Sequence, residues 1–545
     1  PGLVLDELNR RLAPTGLFYP VDVSTASRAT LGGMTANNSC GSRSLRYGVS
    51  VDNVLEIDAI LADGSAARFG AIDASLGAVP VAGGDLVRRL WAIAERHGDA
   101  IARRFPKTAR QVGGYNLDRI LPHGRHNLAS LLVGSEGTLA CFTAITLKLH
   151  RLPAHKVLGV CHFPSFRAAM LATPHLVELA PTCVELVDRS ILDLARAIPA
   201  FAETLGGFVV GDPQALLLVE FAGEERAPVE ADLRRLHAAM ADLGFPGAVV
   251  DATHPAVQAQ IAALRTAGLN IAMSMKGDGK PVSFIEDCAV PVEHLADYTA
   301  AIDELFARHG TRGTWYAHAA VGCLHVRPIL NLKQEQDVRA MRAMAEDAIE
   351  LVRRFDGSHS GEHGDGLVRS EWHGRIFGSD LVRAFEAVKD AFDPLGLFNT
   401  APSKIVRPPP MDERSLLRFP PGYAPASIAP ALDWSAWGGV LGAAEMCNNN
   451  GACRSRVGGV MCPSFRVTGE EAHVTRGRAN VLRQALSGQL GRDALTGEAM
   501  AEALSLCVSC KACRRECPTG VDMARLKIEV LHQRALRHGV AIRER

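Results

Sequence analysis

The sequence predicts an α+β protein that ends in an all-α, cysteine-rich part. Residues 1–150 are rich in glycine and short strand patterns, whereas helical and strand patterns alternate over residues 151–405. Residues 437–545 have helical periodicity with cysteines at the turns. Residues 406–436, which contain "RPPP" and "FPPGYAPASIAP", are typical of a linker. A chain of 545 residues is long enough for about three or four domains of ordinary size.

Composition limits the classes of function. Hydrophobic residues make up 47% of the chain and charged residues 22%, as is typical of a soluble globular protein. The formal net charge is zero and no long basic block occurs, which argues against a nucleic-acid partner. No apolar run reaches the roughly eighteen residues of a membrane-spanning helix, although a peripheral membrane contact stays open. We therefore expect a cytoplasmic protein, or one held at the surface of the inner membrane.

Local patterns predict individual elements. "VLEIDAILADGSAARF" predicts a hairpin of two strands about Asp63 and Gly64. "DLVRRLWAIAERHG" predicts a helix from Asp85 to Gly98, with a capping aspartate and a terminal glycine. Further on, "PVEHLADYTAAIDELFARHG" predicts a helix that precedes the strand-like "TWYAHAAVGCLHVRPIL". This alternation fits an α+β or an α/β arrangement.

Cysteines mark the most specific motif. Seven of the thirteen lie between Cys447 and Cys517. The spacing C-x2-C-x2-C-x3-C-P, which is typical of iron–sulfur ligation, is formed by Cys507, Cys510, Cys513 and Cys517. Zinc is the main rival, but zinc sites usually pair two well separated C-x2-C units. Such clustering indicates metal binding in a reducing compartment rather than disulfides.

An earlier cysteine run resembles this motif with one ligand missing. It contains Cys447, Cys453 and Cys462, with Asn450 at the position of the absent cysteine. If ligands are exchanged as in two-cluster ferredoxins, Cys462 completes the first cluster and Cys517 joins the earlier run. Three thiolates hold a three-iron cluster, or a four-iron cluster with another ligand. A relic without a cluster is the alternative, and we favour a second cluster.

A second constellation consists of His318, His325, Glu362 and His363. Two histidines seven residues apart in an extended or hairpin segment can point at one metal ion, which a carboxylate from another strand end completes. Such an ion acts as a Lewis acid on a hydroxyl or carboxylate oxygen, and His363 is placed to act as a base. On spacing alone, histidines with purely structural roles remain the alternative.

Glycine-rich stretches form a third constellation. "RATLGGMTANNSCGSRSLRYG" and "VGSEGTLA" allow the backbone to approach a pyrophosphate or a flat ring closely. Neither stretch is a G-x-G-x-x-G fingerprint or a P-loop. Tight turns without a ligand are the alternative.

Several of these stretches together resemble one family. "PVDVSTASRATLGGMTANN", "GGYNLDRIL", "VGSEGTLA", "KPVSFIED", "AHAAVGCLH", "GEHGDG" and "FDPLGLFN" occur in this order. They resemble the FAD-linked D-2-hydroxyacid dehydrogenases of the vanillyl-alcohol oxidase/p-cresol methylhydroxylase superfamily, of the D-2-hydroxyglutarate and D-lactate dehydrogenase type, fused to a 4Fe-4S domain. The resemblance implies a partial FAD-binding domain of the p-cresol methylhydroxylase type over residues 1–150 and a ferredoxin-like substrate domain over residues 151–405. The all-α iron–sulfur domain would occupy residues 437–545.

The family's cofactor residues carry over by motif. The FAD would be surrounded by Gly32, Gly33, Asn37, Asn38, Gly134, Glu136 and Gly137. A divalent metal, with zinc as the first choice, would be held by His318, His325 and Glu362. The iron–sulfur ligands would be Cys447, Cys453, Cys462, Cys507, Cys510, Cys513 and Cys517.

Substrate residues carry over in the same way. His363 would be the catalytic base, and Arg265 and Lys280 would bind the substrate carboxylate. Arg327 stands two residues after His325, where the family has asparagine, and would share its face of a strand. It would pair with a second substrate carboxylate or turn to a structural one. The family's pyrophosphate loop is absent ahead of "PVDVSTAS", and the chain stops soon after the second cysteine run, where fused relatives continue. The resemblance therefore predicts a chain truncated at both ends.

Taken together, these patterns predict an FAD- and iron–sulfur-dependent oxidation of a D-2-hydroxyacid to its 2-oxoacid. D-2-hydroxyglutarate and D-lactate are the model substrates, and electrons would leave through the clusters to a quinone or an electron-transfer protein. One alternative is a flavin oxidase of aromatic alcohols. The other is an electron-transfer or scaffold subunit whose flavin site is inactive.

Overall fold

The chain folds into two compact units. A computed structural model describes residues 1–71, 84–120, 126–196, 199–456, 458–491 and 493–540. The first unit comprises Pro1–Arg265, Val282–Pro328 and Ala340–Glu413, and the second comprises Thr266–Pro281, Ile329–Arg339 and Arg414–Arg545. The first unit mixes helices and sheets, and the described part of residues 437–545 is helical, so the predicted fold class is confirmed.

Two small antiparallel sheets lie in the glycine-rich first part of the chain. Their strands are β1 (Leu17–Phe18), β2 (Val54–Ile60), β3 (Ala66–Phe69), β4 (Cys141–Leu147) and β5 (His150–Arg151). Strand β2 lies between β3 and β4, and β1 pairs with β5. The predicted β2–β3 hairpin is confirmed, because the Leu61 carbonyl and amide bond within the turn while Gly64 adopts a φ of 82°.

Short helices surround these sheets. They span Leu5–Leu12, Leu31–Asn37, Ser44–Tyr47, Ser50–Asn53, Gly84–Arg96, Gly98–Arg104 and Ala129–Leu132. The helix predicted from Asp85 is thus observed one residue earlier, with its end two residues before Gly98.

A larger antiparallel sheet forms the centre of the first unit. The remaining strands are β6 (His155–Phe163), β7 (Cys183–Asp188), β8 (Ala215–Gly223), β9 (Val249–Ala252), β10 (Lys280–Pro281), β11 (Gly313–His318) and β12 (Cys323–Leu330). In the first unit the order is β12-β11-β7-β8-β6-β9. In the second unit, β10 pairs with Ile329 and Leu330 at the end of β12.

Residues 166–392 contain further helices, which span Phe166–Val177, Arg189–Arg196, Pro199–Gly206, Arg226–Asp242, Pro255–Met273, Leu295–Arg308, Glu335–Arg354, Gly366–Arg369, His373–Ile376 and Ser379–Phe392. The sheet and some of these helices, among them Arg189–Arg196 and Pro255–Met273, share an apolar core. Val160, Leu192 and Leu216 are fully buried in this core. Burial of each such side chain contributes about 1.5–3 kcal/mol to folding.

The strand-like stretch 314–330 contains a sharp turn. Strands β11 and β12 form a hairpin, and Gly322 between them adopts a φ of 66°. A Cβ atom on Gly322 would lie only 1.8 Å from the carbonyl oxygen of Val290, so only glycine fits here. The turn places His318 at the end of one strand and His325 within the next.

The second unit has a helical core that includes cysteines. After residue 437, its helices span Val440–Glu445, Pro463–Thr468, Thr475–Leu486, Glu498–Ser505, Ala512–Glu516 and Met523–His538. The buried core contains Cys447, Cys453, Cys462 and Cys513. Across the described residues of the chain, no helix combines the length and apolarity needed to cross a membrane.

Candidate functional site

The two histidines of the β11–β12 hairpin converge on one carboxylate. His318 Nε2 lies 3.2 Å from Glu362 Oε2, and His325 Nε2 lies 2.8 Å from Glu362 Oε1. One nitrogen from each histidine and one carboxylate oxygen all lie within 4.8 Å of one another, in the interior of the first unit. The structure therefore brings together the three residues that the sequence predicted as metal ligands.

The hydrogen bonds of the two rings suit a cation between them. His325 Nδ1 donates to the backbone carbonyl of Glu286 at 3.1 Å, which leaves the lone pair of a neutral ring on Nε2. Burial lowers the pKa of His325 to about 4, so the ring is neutral at pH 7. Its buried Nε2 makes no well-oriented hydrogen bond despite the short distance to Glu362. Two lone-pair-bearing atoms at this distance fit a shared metal ion.

A buried guanidinium holds the carboxylate in place. Arg110 is fully buried, and its Nη1 donates to Glu362 Oε2 at 2.7 Å. Its other nitrogens donate to Ser44 Oγ at 2.8 Å and to the carbonyl of Gly41. Burial raises the pKa of Glu362, but the two histidines and Arg110 outweigh it and hold the pKa well below its usual range. Glu362 is therefore ionised and offers a negatively charged oxygen to a cation.

The ring of His363 lies against this set. It stacks on the ring of His325 with centroids 5.0 Å apart, and its Nε2 is 3.3 Å from Glu362 Oε1. Its Nδ1 is 3.1 Å from Glu286 Oε1, which also accepts from Arg369 at 2.6 Å. The ring is thus oriented through Nδ1, and Nε2 is the nitrogen that could take a proton.

Backbone hydrogen bonds fix the loop that carries Glu362 and His363. The amides of both residues donate to the carboxylate of Asp287 at 2.9 Å. Burial lowers the pKa of His363, but Asp287, Glu286 and Glu362 outweigh it and raise the pKa well above its ordinary value. A cation bound by Glu362 would offset part of the negative charge that raises the pKa of His363.

Predicted flavin residues line a cavity beside this loop. The cavity measures about 410 Å³, and Gly33, Asn37, Glu136 and His363 are among its lining residues. Backbone amides of Gly134 and Glu136 donate to the helix Leu31–Asn37, at 3.0 Å and 2.8 Å. The structure therefore joins two glycine-rich stretches that lie about 100 positions apart in the chain.

The other predicted flavin residues lie around the same two stretches. Asn38 ends the helix with a φ of 54°, and its buried Nδ2 has no hydrogen-bond partner, so it is a free donor for a ligand. Gly137 packs against Asn399, which donates to the Glu136 carbonyl at 2.7 Å. Gly32 instead lies against Pro1, where an added Cβ atom would clash at 2.7 Å. The residues present thus fit a flavin at Gly33, Asn37, Asn38 and Glu136.

The predicted substrate residues have different surroundings. Arg265 Nη2 contacts the carboxylate of Glu185 and lies 3.0 Å from His318 Nδ1, so this guanidinium borders the metal set. Arg327 shares strand β12 with His325, and both side chains contact the ring of Tyr316.

Arg327 and Lys280 make further contacts within their own units. Arg327 Nε donates to Ser283 Oγ at 2.9 Å in the first unit. Lys280 belongs to the second unit, where its ammonium donates to the Met275 carbonyl and lies 3.9 Å from Met446 Sδ.

Cysteines from both runs share a cavity in the second unit. Its lining includes Cys462, Cys507, Cys510 and Cys513. Cys462 Sγ accepts from the Thr475 amide at 3.2 Å, and Cys513 Sγ accepts from the Met523 amide at 3.4 Å. Such N–H groups stabilise thiolates, so this set fits a 4Fe-4S cluster with the exchanged fourth ligand.

The remaining cysteines influence one another electrostatically. Burial raises the pKa of the Cys453 thiol to about 12, and neighbouring thiols, among them Cys447 and Cys517, act in the same direction. Asn450 Oδ1 accepts from the Ala452 amide at 2.8 Å, so this side chain is engaged in its own turn.

Four charged residues of the site were not predicted from the sequence. They are Arg110, Glu185, Glu286 and Asp287, all with side chains at most 3% exposed. One signal was available, since a lone glutamate interrupts the apolar strand "CVELV" and a Glu-Asp pair interrupts "SFIEDCAV". Charged residues inside apolar segments are rarely buried without a partner.

Three known domain families match parts of the chain. The family described as "FAD linked oxidases, C-terminal domain" matches residues 152–403, and the "FAD binding domain" matches residues 1–70. The "4Fe-4S dicluster domain" matches residues 443–521. The chain therefore matches two domains of FAD-dependent enzymes and an iron–sulfur domain, which support FAD and a 4Fe-4S cluster as cofactors.

Individual relatives make the resemblance more specific. The D-2-hydroxyglutarate dehydrogenase of Escherichia coli (strain K12) is 31% identical over 98% of this chain and 57% of the relative. The enzyme of the same name from Pseudomonas putida is 30% identical with the same coverage. This chain thus spans little more than half the length of these relatives. The solved structure of 4-ethylphenol oxidase from Gulosibacter chungangensis shares the fold, with a TM-score of 0.50 at 13% identity over 75% of each chain.

Proposed function

We propose that this chain catalyses the FAD-dependent oxidation of a D-2-hydroxyacid to the 2-oxoacid, with electrons leaving through iron–sulfur clusters. One observation carries the proposal: His363 lines the same cavity as Gly33 and Glu136 and lies 3.3 Å from Glu362. A base, a metal-binding set and flavin-site residues therefore meet within one unit. The bound FAD supplies a two-electron acceptor, and the clusters supply one-electron carriers.

The residues of the site would have two different roles in the reaction, cation binding and proton transfer. His318, His325 and Glu362 would hold a divalent cation, with zinc as the first choice, as a Lewis acid for the substrate's hydroxyl and carboxylate oxygens. His363 would take the hydroxyl proton on Nε2, while Glu286 holds its Nδ1. The α-carbon then loses its hydrogen with two electrons, and the product is a ketone.

Substrate recognition is assigned to three cations. Arg265, beside His318, would bind the α-carboxylate. The family motif assigns Lys280 to the same carboxylate. Arg327 would bind a second carboxylate. Two relatives named D-2-hydroxyglutarate dehydrogenase support a dicarboxylic substrate over D-lactate.

A second cluster is part of the proposal. Cys447, Cys453 and Cys517 would hold it, and the missing thiolate at Asn450 would leave a three-iron cluster or one with a non-cysteine ligand. Cys517 raises the pKa of Cys447, and both of these thiols raise the pKa of Cys453. These effects support the proposal that the three sulfurs lie close together. The acceptor would be a quinone or an electron-transfer protein, reached from the cytoplasm or from the inner-membrane surface.

Two measurements test the function. An absorption spectrum of the purified protein should show flavin peaks above a broad iron–sulfur shoulder. A panel of D-2-hydroxyacids with an artificial dye as electron acceptor should then identify the substrate. Turnover of none of these acids, with the flavin fully bound, would favour an inactive scaffold, and turnover of aromatic alcohols would favour the oxidase alternative.

A further inference from the structure

Glu185 is a buried carboxylate next to the metal set. It lies in β7, where it pairs directly with His318 of β11, and its side chain is 3% exposed. His318 Nδ1 lies 2.8 Å from Glu185 Oε1 and 3.0 Å from Oε2, and Arg265 Nη2 contacts the same carboxylate. Burial of a carboxylate in this position is costly unless both partners are present.

The contact with Glu185 determines the state of His318. A carboxylate can only accept, so Nδ1 of His318 carries a hydrogen towards Glu185, which leaves Nε2, facing Glu362, as the nitrogen that could bind a cation. A carboxylate on the far nitrogen also makes a metal-ligating imidazole more electron-donating. Glu185 thus prepares His318 as a ligand.

Arg265 competes for the same carboxylate. Its Nη2 lies 3.0 Å from His318 Nδ1, so two donors approach Glu185 from neighbouring positions. Negative charge that is shared with Arg265 is not available to polarise the N–H of His318. Anything that draws Arg265 away would strengthen the bond between Glu185 and His318.

We propose that Glu185 is a positioning residue that couples Arg265 to cation binding at His318. This inference rests on the metal site of the proposed function. A carboxylate that engages Arg265 releases charge on Glu185, which makes His318 a stronger ligand. By linkage, a bound cation at His318 must favour carboxylate binding at Arg265 to the same extent.

Zinc affinity is the direct readout. The full-length protein with intact clusters is depleted of exchangeable metal and titrated anaerobically with Zn²⁺ against a chromophoric chelator. His325→Ala defines the background from zinc bound elsewhere. Glu185→Gln keeps the shape and an accepting oxygen but loses the charge, and we expect about a tenfold loss of affinity, with a loss of up to about 100-fold in Glu185→Ala.

A matched control lies on the neighbouring strand. Glu220 of β8 is also largely buried, with a side chain 13% exposed, and it pairs with Lys156 at 3.1 Å. Glu220→Gln should leave zinc affinity unchanged. If Glu185→Ala fails to fold, Glu185→Gln decides the result alone.

Arg265→Met should change the zinc affinity in the opposite direction. Loss of the competing donor should tighten zinc binding, whereas a merely structural role would weaken it. Equal zinc affinity in Glu185→Gln and the unaltered protein overturns this inference alone, as does weaker binding in Arg265→Met. Failure of the unaltered protein to bind zinc above the His325→Ala background overturns the metal site of the proposed function as well.

Discussion

The side-chain amide of Asn37 donates a hydrogen bond of 2.9 Å to the backbone carbonyl of Glu362, across 325 positions of sequence. A second link runs beside it, because the Glu136 carboxylate accepts from the amides of Asp365 and Gly366 at 2.7 Å and 3.0 Å. The predicted flavin residues thus hold the loop that carries Glu362 and His363, the proposed metal ligand and base. A shift of this loop would therefore change both proposed sites.

His363→Ala should abolish reduction of the flavin by substrate. A positioned base contributes about 10²–10⁴-fold to such a proton transfer. Single-turnover mixing under anaerobic conditions measures this step without the clusters. His237→Ala, a surface histidine paired with Asp251, is the control and should reduce the flavin normally. Retention of most of the rate in His363→Ala would contradict the assignment of the base.

Cys510→Ala should separate flavin reduction from electron exit. Cys510 lines the cluster cavity of the second unit and is exposed, so its loss affects the carrier and not the base. A dye that accepts electrons directly from the flavin should still be reduced, whereas transfer to the natural acceptor should fall sharply. Equal loss of both activities would show that the cluster is needed for the flavin site itself.

Asp393→Asn should destabilise the first unit. The Asp393 carboxylate is fully buried and accepts from Lys389 Nζ at 2.5 Å and from the amides of Leu397 and Phe398 at 2.8 Å. Breaking a buried pair of this kind costs about 3–5 kcal/mol in the free energy of unfolding. The urea midpoint, followed by circular dichroism, should fall accordingly. Asp390→Asn, which breaks an exposed pair with Arg407, should change it by at most about 1 kcal/mol.

Acid should diminish the effect of Asp393→Asn. Burial raises the pKa of Asp393, but the bonds from Lys389 and the two amides outweigh it and lower the pKa below its usual value of 3.8. A lowered pKa means that the stabilisation is present above the unfolded-state pKa and is lost as the pH falls through the folded-state pKa. The two urea midpoints should therefore converge below about pH 4. A constant difference down to the acid limit would contradict this account.

Features set by neighbouring residues could be predicted from the sequence. The turn at Asp63 and Gly64 and the convergence of His318 and His325 both depend on a few adjacent residues. Glu185 could not be placed, because it meets His318 across 133 positions through the register of β7 and β11. Strand register of this kind depends on the whole sheet and not on spacing within a motif.

The same limit applies to the two cysteine runs. Cys462 lines one cavity with Cys507, Cys510 and Cys513, which agrees with the ligand exchange that the spacing of two-cluster ferredoxins predicts. The contacts of the sulfurs could not be predicted from this spacing, because the Cys462 thiol meets Thr475, 13 positions further on, where another helix begins.

Asn450→Cys should change the type of the second cluster. The missing thiolate leaves one iron without a strong ligand, so the oxidised protein should show a three-iron signal by electron paramagnetic resonance. Cysteine at this position should convert the signal to that of a four-iron cluster and slow the loss of iron. Asn448→Ser, in the same loop, is the control and should leave the three-iron signal in place. A single four-iron cluster per chain that Cys447→Ala does not affect would mean that the earlier run is a relic.

Arg327→Asn should reduce activity selectively on a dicarboxylic substrate. The side chain is buried on β12 beside Tyr316, and its Nε donates to Ser283 in a hydrogen bond of 2.9 Å. A guanidinium can act as a planar fork for a second carboxylate. A charge-assisted pair contributes about 1.5–3 kcal/mol, or roughly tenfold to a hundredfold in kcat/KM. Comparison of D-2-hydroxyglutarate with D-lactate in both proteins measures the effect. An equal change on the two substrates would assign Arg327 to the packing of Tyr316 instead.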